Sequence, residues 1–338
     1  MLATRYLGLE LPHPFVVGAS PMVDDLDRVR RLEDAGAAAI VMHSLYEEQL
    51  TLEELSTHDA LEQHTNSFAE ATSYLPRPSE FALGPDEYLD QIFRLKNAVD
   101  VPVIASLNGT TLGGWLGCAQ LMEQAGADAL ELNLYAVSTS MEESADQVED
   151  RQTEVVRTVL ERVDIPVAVK LSPWYTALPH FAKRLDQLGV SGLVLFNRFL
   201  QADIDPEALE VDHRLNLSTS DELLPRLRWL ALLAGRVRAS LAVTGGVHNA
   251  IDAVRAVMAG AHAVQLVSVL LRHGPEQLTA ILRDFERWLA DHDYQSIEQI
   301  RGSMSLLRCP QPAAFERAQY LHVLQSWRHH GTSRLTDR

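Results

Sequence analysis

The chain has 338 residues and a formal net charge of −17, with 46 % hydrophobic and 22 % charged residues. This composition is that of a globular protein and excludes a disordered chain. The negative charge argues against nucleic acid and anionic membrane surfaces as partners. No apolar run reaches 18 residues, and the two cysteines, Cys118 and Cys309, form no CxxC pair. We therefore expect a cytoplasmic protein without a membrane span, disulfide framework or zinc site.

A unit in which a helical pattern ends at a glycine and a short apolar run follows occurs four times. Its glycines are Gly36, Gly126, Gly189 and Gly260, and each suits the left-handed conformation that closes a helix. Valine-rich segments alternate with these units. In chain order, the predicted strands lie near 15–18, 39–43, 102–106, 129–134, 166–170, 192–196, 240–244 and 263–266. Eight buried strands alternating with helices predict one α/β domain over residues 1–338, a (β/α)8 TIM barrel, with an open doubly wound sheet as the alternative.

Two segments, residues 44–85 and 198–220, are too long for simple loops between a strand and a helix. They follow the second and the sixth predicted strands. We therefore expect them to be insertions on the catalytic face of the barrel, where they cover the site or contact another subunit. The tail after Gly274 is predicted to be helical, with Pro275 near the start of a helix.

Polar residues gather where the predicted strands end, which is the face on which barrel enzymes carry their chemistry. We expect this rim to bind a polar ligand. Its residues are Ala19, Ser20, His43, Ser44, Ser106, Asn108, Asn133, Lys170, Asn197, Thr244, Gly245, Gly246 and Gln265.

The Thr244-Gly245-Gly246 turn ends the seventh strand and leads into a helix near Asn249. Glycines let backbone N–H groups approach an anion, and the N-terminus of a helix adds partial positive charge. Because barrels commonly hold phosphate in the loops after strands seven and eight, we predict a phosphate site here.

Lys170 ends the fifth strand and is one of only three lysines in the chain. A lysine in this place extends to solvent, holds negative charge on a cofactor or intermediate, or forms a Schiff base. Asn133 ends the fourth strand, where it either caps the strand or binds the edge of a heteroaromatic ring. The residues themselves leave these alternatives open.

In their order and spacing, several segments resemble the class 1 dihydroorotate dehydrogenases, which are soluble FMN-dependent (β/α)8 barrels. The resemblance spans nearly the whole chain. The matching segments are His13–Phe15, Ala19–Ser20, Glu131–Leu134, Pro166–Pro173, Ile204–Glu207, Thr244–Gly246, Gln265–Ser268 and Tyr294–Ile297.

The resemblance implies that FMN is the cofactor and assigns roles to individual residues. Lys170 would lie near the N1–C2 carbonyl region, where reduced flavin becomes anionic and a fixed cation favours reduction. Asn197 resembles a substrate-binding asparagine. The cofactor contacts implied are Ala19, Ser20, Ser44, Asn108, Asn133, Lys170, Thr244, Gly245, Gly246, Gln265 and Ser268.

The chain departs from the family where the substrate is handled. The family's catalytic cysteine, in the motif Ser-Cys-Pro-Asn, is replaced by Ala136. The family lysine after strand two appears as Met42, and the substrate motif Asn-x-x-Gly-Leu-Pro-Asn is absent, with residues 71–76 in its place. The remaining candidates for the base are Ser138, which is also a candidate substrate contact, Thr139, Ser140 and His43.

We therefore expect an FMN-dependent oxidoreductase that oxidises dihydroorotate, or a related small substrate of pyrimidine biosynthesis, by hydride transfer to flavin N5. One alternative is a flavin-binding partner protein without dihydroorotate turnover. Another is an aldolase or synthase on a phosphate-binding barrel, with Lys170 as the Schiff base. The resemblance also implies a homodimer, and it leaves open whether the electrons pass to an electron-transfer partner.

Overall fold

The computed structural model of the chain describes residues 2–46, 85–109, 112–135, 137–198, 203–212, 215–316 and 318–329. Its strands are β1 (Thr4–Tyr6), β2 (Leu9–Leu11), β3 (Phe15–Val17), β4 (Ile40–Tyr46), β5 (Val103–Asn108), β6 (Ala129–Asn133), β7 (Val167–Leu171), β8 (Gly192–Leu195), β9 (Asp203–Asp205), β10 (Glu210–Asp212), β11 (Ser240–Thr244) and β12 (Ala263–Leu266). Eight of them form a closed parallel barrel in the order β3-β4-β5-β6-β7-β8-β11-β12. The predicted (β/α)8 barrel is confirmed.

Helices follow the barrel strands and form the outer layer. They are α1 (Leu26–Asp34), α2 (Pro85–Lys96), α3 (Leu112–Gln124), α4 (Ala145–Leu160), α5 (Leu178–Leu188), α6 (Leu223–Leu233), α7 (Ala250–Ala259), α8 (Ser268–His273), α9 (Glu276–Asp291), α10 (Ile297–Ile300) and α11 (Ala318–His329). Short 3-10 turns lie at Pro21–Asp24, Ser220–Glu222 and Pro312–Phe315. Among the described residues, no helix is both long and apolar enough to span a bilayer.

The barrel strands are apolar at nearly every position because both of their faces are buried. On β6, Leu130 and Leu132 belong to the outer core beneath the helices, whereas Ala129 belongs to the inner core. Since side chains alternate along a strand, Glu131 and Asn133 share the inner face with Ala129. This alternation determines which polar side chains reach the interior of the barrel.

A two-stranded hairpin, β1–β2, contributes to the inner core, and the sequence analysis did not predict it. Its side chains Tyr6, Leu7 and Leu11 are buried there. A Cβ atom on Gly192 of β8 would lie only 2.4 Å from Leu7 Cδ2, so the hairpin packs directly against the barrel at this glycine. Three-residue strands carry too little periodicity to be recognised in a sequence.

The glycines of the four repeated units do adopt positive φ angles, from 96° at Gly189 to 126° at Gly260. The tail after Gly274 is helical, and Pro275 immediately precedes α9, as predicted. The first insertion was predicted to begin at residue 44, but β4 continues to Tyr46, and residues 47–84 lie outside the described residues. The described part of the second insertion contains the hairpin β9–β10.

Candidate functional site

Polar side chains line the barrel interior at the carboxyl ends of the strands. All of them are buried. Because neighbouring strands pair in parallel, each of these residues lies opposite a partner on the next strand. The pairs are Ser44 with Ser106, Asn133 with Lys170, and Thr244 with Gln265. The fold therefore brings residues from six distant places in the sequence to one mouth, which is the rim expected from the sequence.

Ser44 is held in this mouth by two neighbours. Its Oγ lies 2.8 Å from Ser106 Oγ, and Asn133 Nδ2 donates a hydrogen bond to it at 3.5 Å. Ser44 was expected in a loop, but it lies within β4, whose pairing with β5 shifts between Val41 and Ser44. A bulge of this kind redirects the following side chain. The bulge thus turns Ser44 towards the mouth, whereas His43 contacts Asp24 and Tyr88.

Lys170 has a buried carboxylate as its partner. Its Nζ donates to Glu131 Oε1 at 3.1 Å, and Gln265 Nε2 donates to Glu131 Oε2 at 2.6 Å. Glu131 is fully buried. Burial of the nearby Tyr6 phenol, together with the charge of Glu131, raises the pKa of Tyr6 well above its usual value. A lysine extending to solvent is therefore the wrong alternative for Lys170.

Glu131 is a site residue that the sequence analysis did not single out. It was noted only as part of a matching segment, although a carboxylate within the apolar strand Ala129–Asn133 was a usable signal. Charged side chains are almost never fully buried unless they are paired. A glutamate in an otherwise buried strand therefore requires a cation nearby, and Lys170 was the available one.

Several buried polar atoms around this mouth have no hydrogen-bond partner among the described residues. They are Ser20 Oγ, Asn108 Nδ2, Asn133 Oδ1 and Gln265 Oε1. Buried polar atoms are nearly always bonded, so a cluster of exceptions calls for a ligand or ordered water. The set contains both donors and acceptors, which suits a heteroaromatic ring whose edge alternates between N–H and C=O groups.

The Thr244-Gly245-Gly246 turn has the backbone conformation that requires glycine. Gly245 and Gly246 have φ angles of +82° and +83°. A Cβ atom on Gly246 would lie 2.5 Å from the backbone nitrogen of Leu223, so the turn packs directly against the start of α6. Behind it, the buried Arg226 donates from Nε to the Thr244 carbonyl at 2.6 Å. Burial lowers the pKa of this guanidinium.

Ser218 connects the two halves of the predicted phosphate site. Its Oγ accepts from the Gly246 N–H at 3.3 Å, and its own N–H donates to Ser268 Oγ at 3.1 Å. Ser218 Oγ also lies 3.2 Å from His248 Nε2. The fold thus brings Gly246 and Ser268 together as expected. The sequence analysis missed Ser218, because a serine inside an insertion gives no distinguishing signal.

His43 contacts a residue from the preceding loop rather than the barrel interior. Its Nδ1 lies 2.6 Å from Asp24 Oδ1, and its ring packs edge-on against Tyr88 with centroids 5.1 Å apart. Met42, which stands where the family has a lysine, is fully buried in the outer core. Asp24 was not predicted to be a site residue.

The hydroxyls after β6 are exposed and bonded locally. Ser138 Oγ donates to Glu143 Oε2 at 2.5 Å, and Ser140 Oγ accepts from the Glu142 N–H. Arg151 pairs with Glu143, and this cation together with Ser138 lowers the pKa of the Glu143 carboxyl. Ala136 lies outside the described residues, as does the segment 71–76.

The other predicted residues occupy the same end of the barrel. Ala19 packs against the inner core, and Asn197, half-buried, follows β8. Thr139 is exposed in the loop after β6. Beside that loop, a cavity of about 340 Å³ is lined by Ser138, Trp174 and Tyr175, among other residues. The cavity adjoins the loop rather than the Lys170 network.

Comparison with known protein families gives one match. The model of the family described as dihydroorotate dehydrogenase matches residues 81–289, which is more than half of the chain.

Individual relatives agree with this match. A provisionally named dihydroorotate dehydrogenase A (fumarate) of Aeropyrum pernix is 30 % identical over 208 residues, covering 60 % of this chain and 67 % of the relative. The dihydroorotate dehydrogenase B (NAD(+)) catalytic subunit of Geobacter sp. is 29 % identical over 231 residues, 66 % and 75 % of the two chains. That of Methanothermobacter thermautotrophicus is 24 % identical over 308 residues, 89 % and 98 %.

Proposed function

Because the chain belongs to the dihydroorotate dehydrogenase family, we propose that it is an FMN-dependent oxidoreductase acting on dihydroorotate or a related small substrate. The observation that carries this proposal is the cluster of unpartnered buried polar atoms at the barrel mouth. Ser20, Asn108, Asn133 and Gln265 offer both donors and acceptors, which fit the edge of an isoalloxazine ring. When bound, FMN supplies an acceptor for hydride at N5.

Lys170 and Glu131 would act together at the base of this site. The Lys170 ammonium would bind the pyrimidine edge of the ring, where a fixed cation stabilises developing negative charge. Glu131 holds the lysine in place and is itself held by Gln265. Because Lys170 is already paired with Glu131, the ring would meet the dipole of an ion pair rather than an isolated positive charge.

The phosphate of FMN would bind at the glycine turn. The backbone N–H group of Gly245 and the hydroxyls of Ser218 and Ser268 are suitable donors, and the Gly246 N–H donates to Ser218 Oγ and so holds that hydroxyl in place. The buried Arg226 holds the Thr244 carbonyl and adds positive charge behind the turn. All of these groups belong to the loops after β11 and β12, which are the seventh and eighth strands of the barrel, or pack against those loops.

The experiment that tests the proposal is the visible spectrum of the purified protein, recorded without oxygen before and after dihydroorotate is added. Flavin bands that bleach support a dihydroorotate dehydrogenase. Flavin bands that persist support a different substrate or a flavin-binding partner protein. A colourless protein that takes up no added FMN contradicts the proposal.

A Lys170→Ala variant extends this test. We expect weaker FMN retention or slower flavin reduction, because the variant removes the cation and leaves Glu131 buried without its partner. Unchanged FMN retention and unchanged reduction would remove Lys170 from the mechanism.

The Schiff-base alternative is less compatible with the site. A Schiff base forms on a neutral amine, whereas a buried carboxylate lies 3.1 Å from Lys170 Nζ as its ion-pair partner. Borohydride trapping with carbonyl substrates tests this alternative directly. We expect no adduct on Lys170.

We also propose a cytoplasmic homodimer. The support is the hairpin β9–β10, where Ile204, Leu209 and Val211 are all more than half exposed. Exposed apolar side chains grouped on one hairpin suit contact with a second copy. An electron-transfer partner remains a proposal for the acceptor side of the reaction.

A further inference from the structure

Asp24 and His43 form a close contact between a carboxylate and an imidazole. His43 Nδ1 lies 2.6 Å from Asp24 Oδ1, and the two side chains are 16 % and 21 % exposed. Both atoms are buried, and neither has another hydrogen-bond partner among the described residues. Each is therefore the partner available to the other, because a buried polar atom left unpaired is destabilising.

The pair lies between two predicted cofactor contacts. Asp24 ends the 3-10 turn that begins immediately after Ser20, and His43 immediately precedes Ser44. Ser20 Oγ is one of the unpartnered buried atoms, and Ser44 belongs to the barrel mouth. The imidazole therefore lies beside two rim residues, on the side that faces Asp24 and Tyr88.

Tyr88 fixes the backbone that carries His43. Its hydroxyl lies 2.9 Å from the His43 carbonyl and 3.0 Å from the Ser106 carbonyl, and it accepts from the Ser106 N–H at 3.0 Å. Its ring meets the imidazole edge to face at 89°. The histidine is thus held from its backbone, its ring face and its Nδ1 atom, which is the preorganisation expected of a group that acts on a ligand.

The competing hydroxyls are poorly suited to accept a proton. Ser138 Oγ donates its hydrogen bond to the Glu143 carboxylate. Arg151 and Ser138 lower the pKa of Glu143, so this carboxylate is a weak base. Ser138, Thr139 and Ser140 are also exposed to solvent, where a serine has no means of lowering its own pKa.

We propose that His43 exchanges the substrate proton in this enzyme and that Asp24 is the residue that positions it. The inference rests on the proposed function. A carboxylate at Nδ1 fixes the orientation and the tautomer of the ring, and it leaves Nε2 to face the ligand. The same division of roles between base and orienting acid recurs on unrelated folds.

The proposed step balances as follows. A C–H bond of the substrate breaks, its proton goes to His43 Nε2, and its electron pair forms the new C=C bond. The adjacent carbon loses a hydride to the flavin oxidant. The substrate therefore loses two hydrogens and two electrons, and the imidazolium later releases its proton to solvent.

The charged surroundings of His43 are simple among the described residues. From the 3-10 turn, Asp24 faces the ring. From α2, the facing group is the Tyr88 phenol, whose pKa burial raises well above its usual value, so it stays neutral. The strand neighbours Met42 and Ser44 carry no charge. Asp24 is thus the charged group that contacts the imidazole.

The first test does not require turnover. In protein labelled with ¹⁵N-histidine, NMR distinguishes the two neutral tautomers, and a His43→Asn variant identifies the His43 signals among the 13 histidines. At pH 8 we expect the proton on Nδ1, and a change of tautomer in Asp24→Asn. Asp27→Asn is the matched control, because it removes an equal charge at an 89 % exposed side chain nearby. His43 signals that are unchanged in Asp24→Asn overturn the proposal.

The second test measures anaerobic flavin reduction by dihydroorotate in the FMN-loaded protein. General acid–base catalysis contributes about 10²–10⁴-fold, so His43→Asn should slow reduction by about 100-fold or more. Asp24→Asn should slow it less, because the imidazole remains and only its orientation is lost. Asp27→Asn should match the wild type.

The outcomes separate the inference from the proposed function. Rapid, unchanged reduction in His43→Asn, with loss of reduction in Ser138→Ala, refutes the inference while the oxidoreductase stands. Failure of the wild type to bind FMN refutes the proposed function, and the NMR result still decides whether Asp24 orients His43.

Discussion

Lys170 Nζ and Glu131 Oε1 lie 3.1 Å apart inside the barrel, and both side chains are buried. The cation that the sequence assigns to the cofactor is therefore tied to an anion from the neighbouring strand. Such a pair is costly to bury, because two charges leave water, but it is more costly to break once it has formed. This contact makes Glu131 as important to the site as Lys170.

Replacing Glu131 with glutamine should destabilise the protein by about 3–5 kcal/mol, because the Lys170 charge remains buried without its counter-ion. The double variant Glu131→Gln/Lys170→Met removes both charges, and we expect it to be more stable than the sum of the single changes predicts. Urea unfolding of the four proteins gives the coupling free energy. Strictly additive losses would show that the two side chains do not interact.

A substitution at the glycine turn tests the predicted phosphate site. In Gly246→Ala, the new Cβ would meet backbone atoms of Leu223 at 2.5 and 2.8 Å, and the φ angle is +83°. Backbone atoms cannot move aside as the end of a flexible side chain can. We expect a loss of at least about 2 kcal/mol in stability and weaker FMN binding, measured by thermal unfolding and flavin fluorescence titration.

Gly117→Ala is the matched control for this variant. Gly117 lies within α3, and a Cβ atom there meets nothing within 4 Å. Alanine is favoured over glycine inside helices by about 0.5–1 kcal/mol, so this variant should be slightly more stable and bind FMN normally. Equal behaviour of the two variants would contradict the role assigned to Gly246.

The sequence predicted the structure correctly where a residue type has essentially one structural role. The four helix-closing glycines and the valine-rich strands predicted the barrel, because only glycine adopts positive φ readily and only buried strands are apolar throughout. Lys170 and Asn133 were predicted to be site residues because they end buried strands.

The parts that the sequence did not predict depend on contacts between distant residues. Asp24 is one of many aspartates, and only the fold sets it beside His43. Ser218 gains significance by bridging Gly246 and Ser268. The bulge that admits Ser44 to the mouth arises from pairing with β5. Local propensity carries no information about such partners.

The exposed hairpin gives a prediction about assembly. Ile204 and Val211 are cross-strand partners and are 72 % and 53 % exposed, so they form an apolar pair at the surface. If a second copy covers them, Ile204→Asp/Val211→Asp should convert a dimer to a monomer in analytical ultracentrifugation. Phe93→Asp, a change at a 61 % exposed side chain on α2, should leave the dimer intact. A wild-type monomer would contradict the homodimer proposal.

Two buried histidines should make the protein less stable in acid. His262 Nδ1 accepts from the Leu241 N–H at 3.0 Å, and His13 Nδ1 accepts from the Phe15 N–H at 3.3 Å. A ring nitrogen can accept only when it is unprotonated. Burial lowers the pKa of each ring to about 4, and Arg301 contributes at His262.

Because an unfolded histidine titrates near 6.5, the unfolded chain binds more protons than the folded one as pH falls from there towards 4. The contribution of each neutral histidine to the free energy of unfolding is therefore complete above about pH 6.5. It is lost as pH falls through about 4, by up to about 3 kcal/mol for each histidine. Unfolding by urea at pH 7.5, 5.5 and 4.5 measures this loss.

His262→Asn retains a side-chain oxygen that can accept from Leu241 but does not titrate, so its stability should fall less with acid. The exposed His180→Asn change on α5 should follow the wild type, and an equal acid loss in all three proteins would exclude His262 as a cause.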